Sequence, residues 1–149
     1  MNTVTLAELR ALVLEQADMT GSTYVSTVTL DHWINSELSE LHDLLVGSFA
    51  DYYLSKFVIN TAAGVESYLL PDDFYKLLKV FSVETDGTRR SLARFTLEEL
   101  AGLSHITVMS GDASMYRVVG NRIHLAPRPA GVQMIEMWYV PGVVKLLFP

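Results

Sequence analysis

The sequence predicts an α+β fold: an N-terminal helical hairpin and a short inserted helix, packed with a mostly antiparallel β-sheet or small β-sandwich. Three observations predict it. Up to about residue 50, apolar residues recur at helical spacing, as in Leu30, Ile34, Leu38, Leu41 and Leu45. From Tyr52 the period falls to two: Tyr53, Ser55, Phe57 and Ile59 alternate with Leu54, Lys56 and Val58, as in a strand covered on both faces. Between the two regimes of a helical and a β half lies a corner, Ser67 to Val80, SYLLPDDFYKLLKV. Its first apolar run stops at Pro71, because proline fixes φ at about −65° and has no N–H for a sheet. Asp72 or Asp73 can then bond nearby backbone amides and start a helical turn. That turn is expected to roll Phe74 and Tyr75 under the sheet.

Taken in order, Thr5-Leu6-Ala7-Glu8 is a capping box that opens a first helix ending near Asp18. Leu6, Leu9, Leu12, Val13 and Ala17 share one side of it, and Arg10 intrudes on that side. A loop rich in Gly, Ser and Thr follows. Thr29 or Asp31 is the expected cap of a second helix reaching about Gly47. Trp33 and Leu44 widen its apolar stripe, while Asp31, Asn35, Ser39, Glu40, His42 and Asp43 cover the opposite side. Glu37 falls among the apolar residues. Either Arg10 and Glu37 meet as an inter-helix or inter-subunit ion pair, or both stand at the margins of their stripes and extend to water.

The β half begins after residue 51. A turn at Thr61 to Gly64, a short strand at Ser67 to Leu70 and another at Leu77 to Glu84 precede an Asp86-Gly87 hairpin turn. Arg89 to Phe95 is expected to return antiparallel. Thr96-Leu97-Glu98-Glu99 is a second capping box, opening a short helix near residues 96–102. Gly120-Asn121 joins the strands Met115 to Val119 and Arg122 to Ala126, and Val132 to Val140 is the last strand. The whole chain, 1–149, is the size of one domain: a helical part to residue 50, a β-rich part over 51–141 and an apolar tail over 142–149.

Composition narrows the function. No apolar run is long enough to span a bilayer, and MNTVTLAELR has no basic region before an apolar stretch, so no signal peptide is expected. The absence of cysteine removes disulfides, thiolate catalysis and cysteine metal sites. A net charge of −6 argues against nonspecific nucleic-acid binding.

Catalytic and metal-binding patterns are not found, so no enzyme activity, cofactor or metal is expected. His32, His42, His105 and His124 form no recognised ligand pattern, and the two on the second helix are expected to be exposed. No phosphate loop or GxSxG elbow occurs. Asp72 and Asp73 point in different directions after a strand-ending proline, which suits capping better than acid–base work. What remains is surface for partners. Val143, Val144, Leu146, Leu147 and Phe148 form a nearly all-apolar tail after the Pro141-Gly142 break. Such a tail is a hazard unless covered. It either docks on a neighbouring subunit or another protein, or folds back as an edge strand of its own sheet.

The order of these segments resembles a known family. LAELRALVLEQADM, then STVTLDHWINSELSELHDLLVGSF and YLLPDDFYKLLKV, then YRVVGNRIHLAPRP and MIEMWYVPGV are together similar to the small head-to-tail adaptor (connector) proteins of tailed bacteriophages. The resemblance runs from Thr5 to Val143. It implies a structural virion protein made in the bacterial host cytoplasm and placed in the neck between capsid and tail. It also implies a homo-oligomeric ring, usually dodecameric, docked below the portal protein. Such a ring presents its far side to tail or nozzle proteins, and DNA passes through it without specific binding. The segment that would reach the portal is 143–149. An acidic or neutral lumen suits a DNA conduit, with candidates Asp31, Glu40 and Asp43. A tail-assembly or interaction module acting as monomer or dimer is the alternative, and a hydrolase with an unrecognised site a more distant one.

Overall fold

A computed structural model describes residues 4–96, 98, 99 and 110–146. The expected α+β fold is the one found. The chain divides into two compact units, residues 1–49 with 143–149, and residues 50–142.

The helical unit holds α1 (Leu6–Gln16) and α2 (Thr27–Ser48). The capping box at α1 forms as read: the Glu8 amide donates to Thr5 Oγ1 at 3.3 Å, and the Thr5 amide to Glu8 Oε2 at 2.7 Å. These bonds hold the Glu8 carboxyl below the usual carboxylate range. The second cap differs from expectation. Ser26, and not Thr29 or Asp31, caps α2, with the Thr29 amide donating to its hydroxyl at 3.1 Å. The helix therefore starts one turn earlier, because Thr27, Val28 and Thr29 occupy its first turn, where β-branching costs little and a serine cap adds about 1 kcal/mol.

The β unit opens with a 3-10 turn, Ala50–Tyr53. Its first sheet has the order β1-β10-β3-β4, built from β1 (Ser55–Asn60), β3 (Phe74–Val83), β4 (Arg89–Ser91) and β10 (Met134–Pro141). The second has the order β2-β8-β7-β5, from β2 (Ser67–Leu69), β5 (Ala93–Arg94), β7 (Met115–Val119) and β8 (Arg122–Ala126). A parallel two-stranded piece pairs β6 (Ser110–Gly111) with β9 (Arg128–Pro129). Pairing in the first two sheets is antiparallel except for β5 beside β7.

The two sheets face a common core, which makes the β unit a small sandwich. Ile59, Val80, Ile135, Met137 and Tyr139 come from the first sheet, and Tyr116, Ile123 and Leu125 from the second. Ile123, Ile135 and Met137 are fully buried, each contributing roughly 1.5–3 kcal/mol. The strand expected from Arg89 to Phe95 is broken at Leu92, which is itself buried in this core. After it, Ala93 and Arg94 leave β3 and run parallel to β7. A periodicity of two is the same in either sheet, so the sequence did not reveal the switch.

The hairpins follow their turn residues. Gly87 at φ 85° and Gly120 at φ 58° take the left-handed conformation that glycine adopts freely. At the Pro71 corner the chain makes a single turn, with the Phe74 amide donating to the Pro71 carbonyl at 3.0 Å, and β3 begins at once. Phe74 stacks on Tyr139, centroids 5.9 Å apart. Tyr75, expected beneath the sheet with it, is instead 47% exposed, since successive strand residues face opposite ways. Asp73 accepts the Tyr139 hydroxyl at 2.9 Å, and its carbonyl accepts the Gly142 amide at 2.6 Å. Asp73 thus ties the corner to the end of β10 and does not cap its own turn. Burial, and then this bond, push the Tyr139 phenol up.

Two polar clusters hold the sandwich. Gln133 receives the Ala113 amide on Oε1 at 2.9 Å and donates to Ser82 Oγ at 2.8 Å, while its own amide donates to Thr61 Oγ1 at 2.8 Å. Ser82 and Thr61 are buried, so these bonds satisfy groups cut off from water. On the outer face of the first sheet, buried Glu136 lies between Val58 and Phe81 in register. It accepts Arg89 at 3.0 and 3.4 Å and Trp138 Nε1 at 2.6 Å, with Lys56 at 3.7 Å. Burial alone pushes the Glu136 carboxyl up, but these donors and charges outweigh it and hold it below its ordinary value.

Candidate functional site

Helix α1 has no fully buried residue, although Leu6, Leu9 and Val13 are half-buried. On α2 the buried positions are Leu30, Asp31, Ile34, His42 and Val46. This stripe is rotated toward the side expected to be polar. His42, expected to be exposed, is covered, and its Nδ1 lies 3.8 Å from Asp43. Conversely, Trp33, Leu41 and Leu44 of the expected apolar face are 52%, 50% and 63% exposed.

Two contacts explain the rotation. Arg10 Nε and Nη2 donate to the two carboxylate oxygens of Asp31 at 2.5 and 2.6 Å. The bidentate partner of Arg10 is therefore Asp31, not Glu37, which is exposed. Its hydrogen bonds to Asp31 also raise the Arg10 pKa. Asp31 is 3% exposed and committed to this pair, so it does not face an open lumen; Glu40 and Asp43 remain exposed. One turn along, Asn35 clamps the tail. The Leu146 amide donates to Asn35 Oδ1 at 2.9 Å, and Asn35 Nδ2 donates back to the Leu146 carbonyl at 3.3 Å. Arg10 and the tail thus come to the Asp31–Asn35 side of α2 and leave the other side open.

The tail forms no edge strand over its described residues. Val143 and Leu146 are half-buried, Val144 is 84% exposed, and Leu147 and Phe148 lie outside the described residues. Nothing in the sequence singled out Asn35, because an amide that pairs with backbone reads as one more polar residue on a polar face.

The open side of α2 and the adjoining side of α1 enclose a groove of 240 Å³. Leu9, Val13, Leu30, Trp33, Ile34, Leu38 and Leu41 line it, with Glu37 its single charged residue. Val28 and Leu12 extend the exposed apolar surface of the same helices. Uncovered apolar surface of this kind is suited to a protein partner.

The pockets of the β unit offer less chemistry. The one at the corner, 370 Å³, is lined by Pro71, Asp72 and Phe74 and has Asp72 as its single titratable side chain. Another, of 280 Å³, holds Glu84 and Asp112, and Glu84 is already paired with Arg90 at 2.7 Å. Among the described residues no group of three or more His, Asp or Glu side chains could hold a metal ion. The second capping box is present, with the Thr96 amide on Glu99 Oε2 at 2.7 Å. The rest of the helix expected there, like His105, lies outside the described residues.

The family model of the SU10 adaptor protein matches residues 4–146. The chain belongs to that family. A search of curated proteins returned no match. The family is one of phage head-to-tail adaptors, so the adaptor is a structural component of the virion neck, associating with capsid or portal and with tail components. Among the described residues, no helix is long and apolar enough to cross a membrane.

Proposed function

We propose that the adaptor assembles as a ring, dodecameric as in related connectors, docked beneath the portal and continuing the DNA channel toward the tail. The family match over 4–146 carries this reading, and the uncovered apolar groove supports it. A ring needs a heterologous interface, two different patches on every subunit, and a lone chain must leave both open.

Charge supports the conduit. Residues 1–49 and 143–149 hold seven acidic and two basic side chains, a net of −5, whereas residues 50–142 hold ten and nine, a net of −1. An acidic wall holds no phosphates and lets DNA pass; a basic one would grip it through many contacts. Glu40 and Asp43 are the exposed lumen candidates that remain. The tail, with Val143, Val144 and Leu146, and with Leu147 and Phe148 beyond the described residues, is the segment that reaches the portal. Imaging of the assembled particle tests this reading. Ring density for this chain between portal and tail is expected; the chain found elsewhere, or working as a free monomer or dimer during assembly, overturns it.

A further inference from the structure

The outer face of the second sheet has a composition opposite to that of the helical groove. On β7, Tyr116 and Val118 point to the core, so Met115, Arg117 and Val119 alternate to the other side. Register places His124 and Ser67 beside Arg117, and Arg122 and Leu69 beside Val119. Leu69 and Val119 are 56% and 51% exposed. The three strands β2, β8 and β7 contain no acidic residue.

Three arginines elsewhere are paired with acids, and those of this face are not among them. Arg10, Arg89 and Arg90 each meet a carboxylate, from Asp31, Glu136 and Glu84. Among the described residues Arg122 meets the neutral oxygens of Ser67, at 3.2 and 3.3 Å, and no carboxylate. Arg117 Nη1 is buried and has no hydrogen-bond partner among the described residues. A buried guanidinium nitrogen without an acceptor is a costly exception, whereas the exposed Arg122 can be reached by a carboxylate from another copy.

We infer that this face is the counter-surface onto which the α1–α2 groove of a neighbouring copy closes. The inference rests on the ring reading and names the two patches such a ring requires. The groove is apolar with one acid, Glu37, and no base; the sheet face is apolar at Leu69 and Val119 with Arg117 and Arg122 and no acid. Trp33 and Leu41 would cover Leu69 and Val119, and Glu37 would supply the carboxylate that the exposed Arg122 lacks. Two copies of the groove brought face to face would set acid against acid, and two sheet faces would set arginine against arginine. The complementarity therefore runs between unlike patches, which is what a ring requires.

The absence of cysteine gives a clean test on the full chain. In a Leu41→Cys, Val119→Cys double variant, a flexible bifunctional thiol linker is expected to yield a ladder of covalent oligomers under conditions where sedimentation shows assembly, with neck proteins co-expressed if needed. Each single variant is expected to give no ladder. In parallel, Glu37→Lys and Arg122→Glu, both exposed positions, should each weaken assembly about tenfold, and the two together should restore it. Assembly without the ladder and without the charge rescue overturns the inference and leaves the ring standing. A chain that stays monomeric even with its neck partners overturns both. Retention of duplex DNA that Arg122→Glu abolishes, with assembly unchanged, makes the face a DNA contact and overturns the inference.

Discussion

The two units treat their apolar residues in opposite ways. The sandwich hides Ile123, Ile135 and Met137 completely, whereas α1 hides nothing completely and α2 leaves Trp33, Leu41 and Leu44 half in water. Geometry accounts for the difference. Two sheets laid face to face close a core between them; two helices have one contact seam, and a stripe wider than that seam stays open. The sandwich closes a core of its own, and the helical pair leaves apolar surface uncovered.

The largest expected effect should come from breaking the sandwich. Ile135→Ala removes a fully buried side chain and should cost about 3–4 kcal/mol, read by denaturant unfolding. Each unit carries one of the chain's two tryptophans, Trp33 and Trp138, so a Trp33→Phe background lets Trp138 report the sandwich alone. Loss of less than about 1 kcal/mol would show that the sandwich is not the rigid half.

Glu136→Ala is next, at about 2 kcal/mol, because it leaves Trp138 Nε1 without its acceptor and takes the carboxylate from Arg89 and Lys56, which are about half exposed. The carboxyl titrates below its ordinary value in the folded state, so its stabilisation is complete above the unfolded-state pKa, about 4.3, and is lost as pH falls through the lower folded value. Glu136→Gln should therefore flatten the acid limb of the stability–pH curve; an unchanged limb would contradict the network.

Asn35→Ala should cost about 1–2 kcal/mol for two bonds and should speed hydrogen exchange of the Leu146 amide. Exchange as slow as in the parent would mean that the clamp is not what holds the tail. The smallest effect on stability belongs to the groove. Leu44→Ser and Trp33→Ser, on the exposed apolar side of α2, should change monomer stability by no more than about 1 kcal/mol, yet abolish ring assembly. If these variants instead unfold the helices, the contrast between the units fails.

Local pattern made much of the fold legible. The Thr5–Glu8 box, the Asp86-Gly87 and Gly120-Asn121 turns and the Pro71 stop are all present, because each is decided by residues within a few positions of one another. The sheet switch at Leu92 and the early start of α2 at Ser26 were less visible, since neighbours alone do not distinguish the alternatives. At the candidate site, the intrusion of Arg10 on an apolar face suggested a pair with Glu37, and the partner found is Asp31. Choosing Asp31 over Glu37 required the rotation of α2, which the wheel of one helix does not contain.

By itself, then, the sequence determined the order and type of most elements, which residues are apolar, and a head-to-tail adaptor's order of segments. Only the tertiary structure decided which apolar residues are covered: Asn35 and Asp31 draw the tail and Arg10 to one side of α2, and the groove is what that choice leaves bare. The physical reason is that propensity and capping act along the chain over a turn or two, while burial depends on groups brought together from distant positions, a choice made by the whole fold.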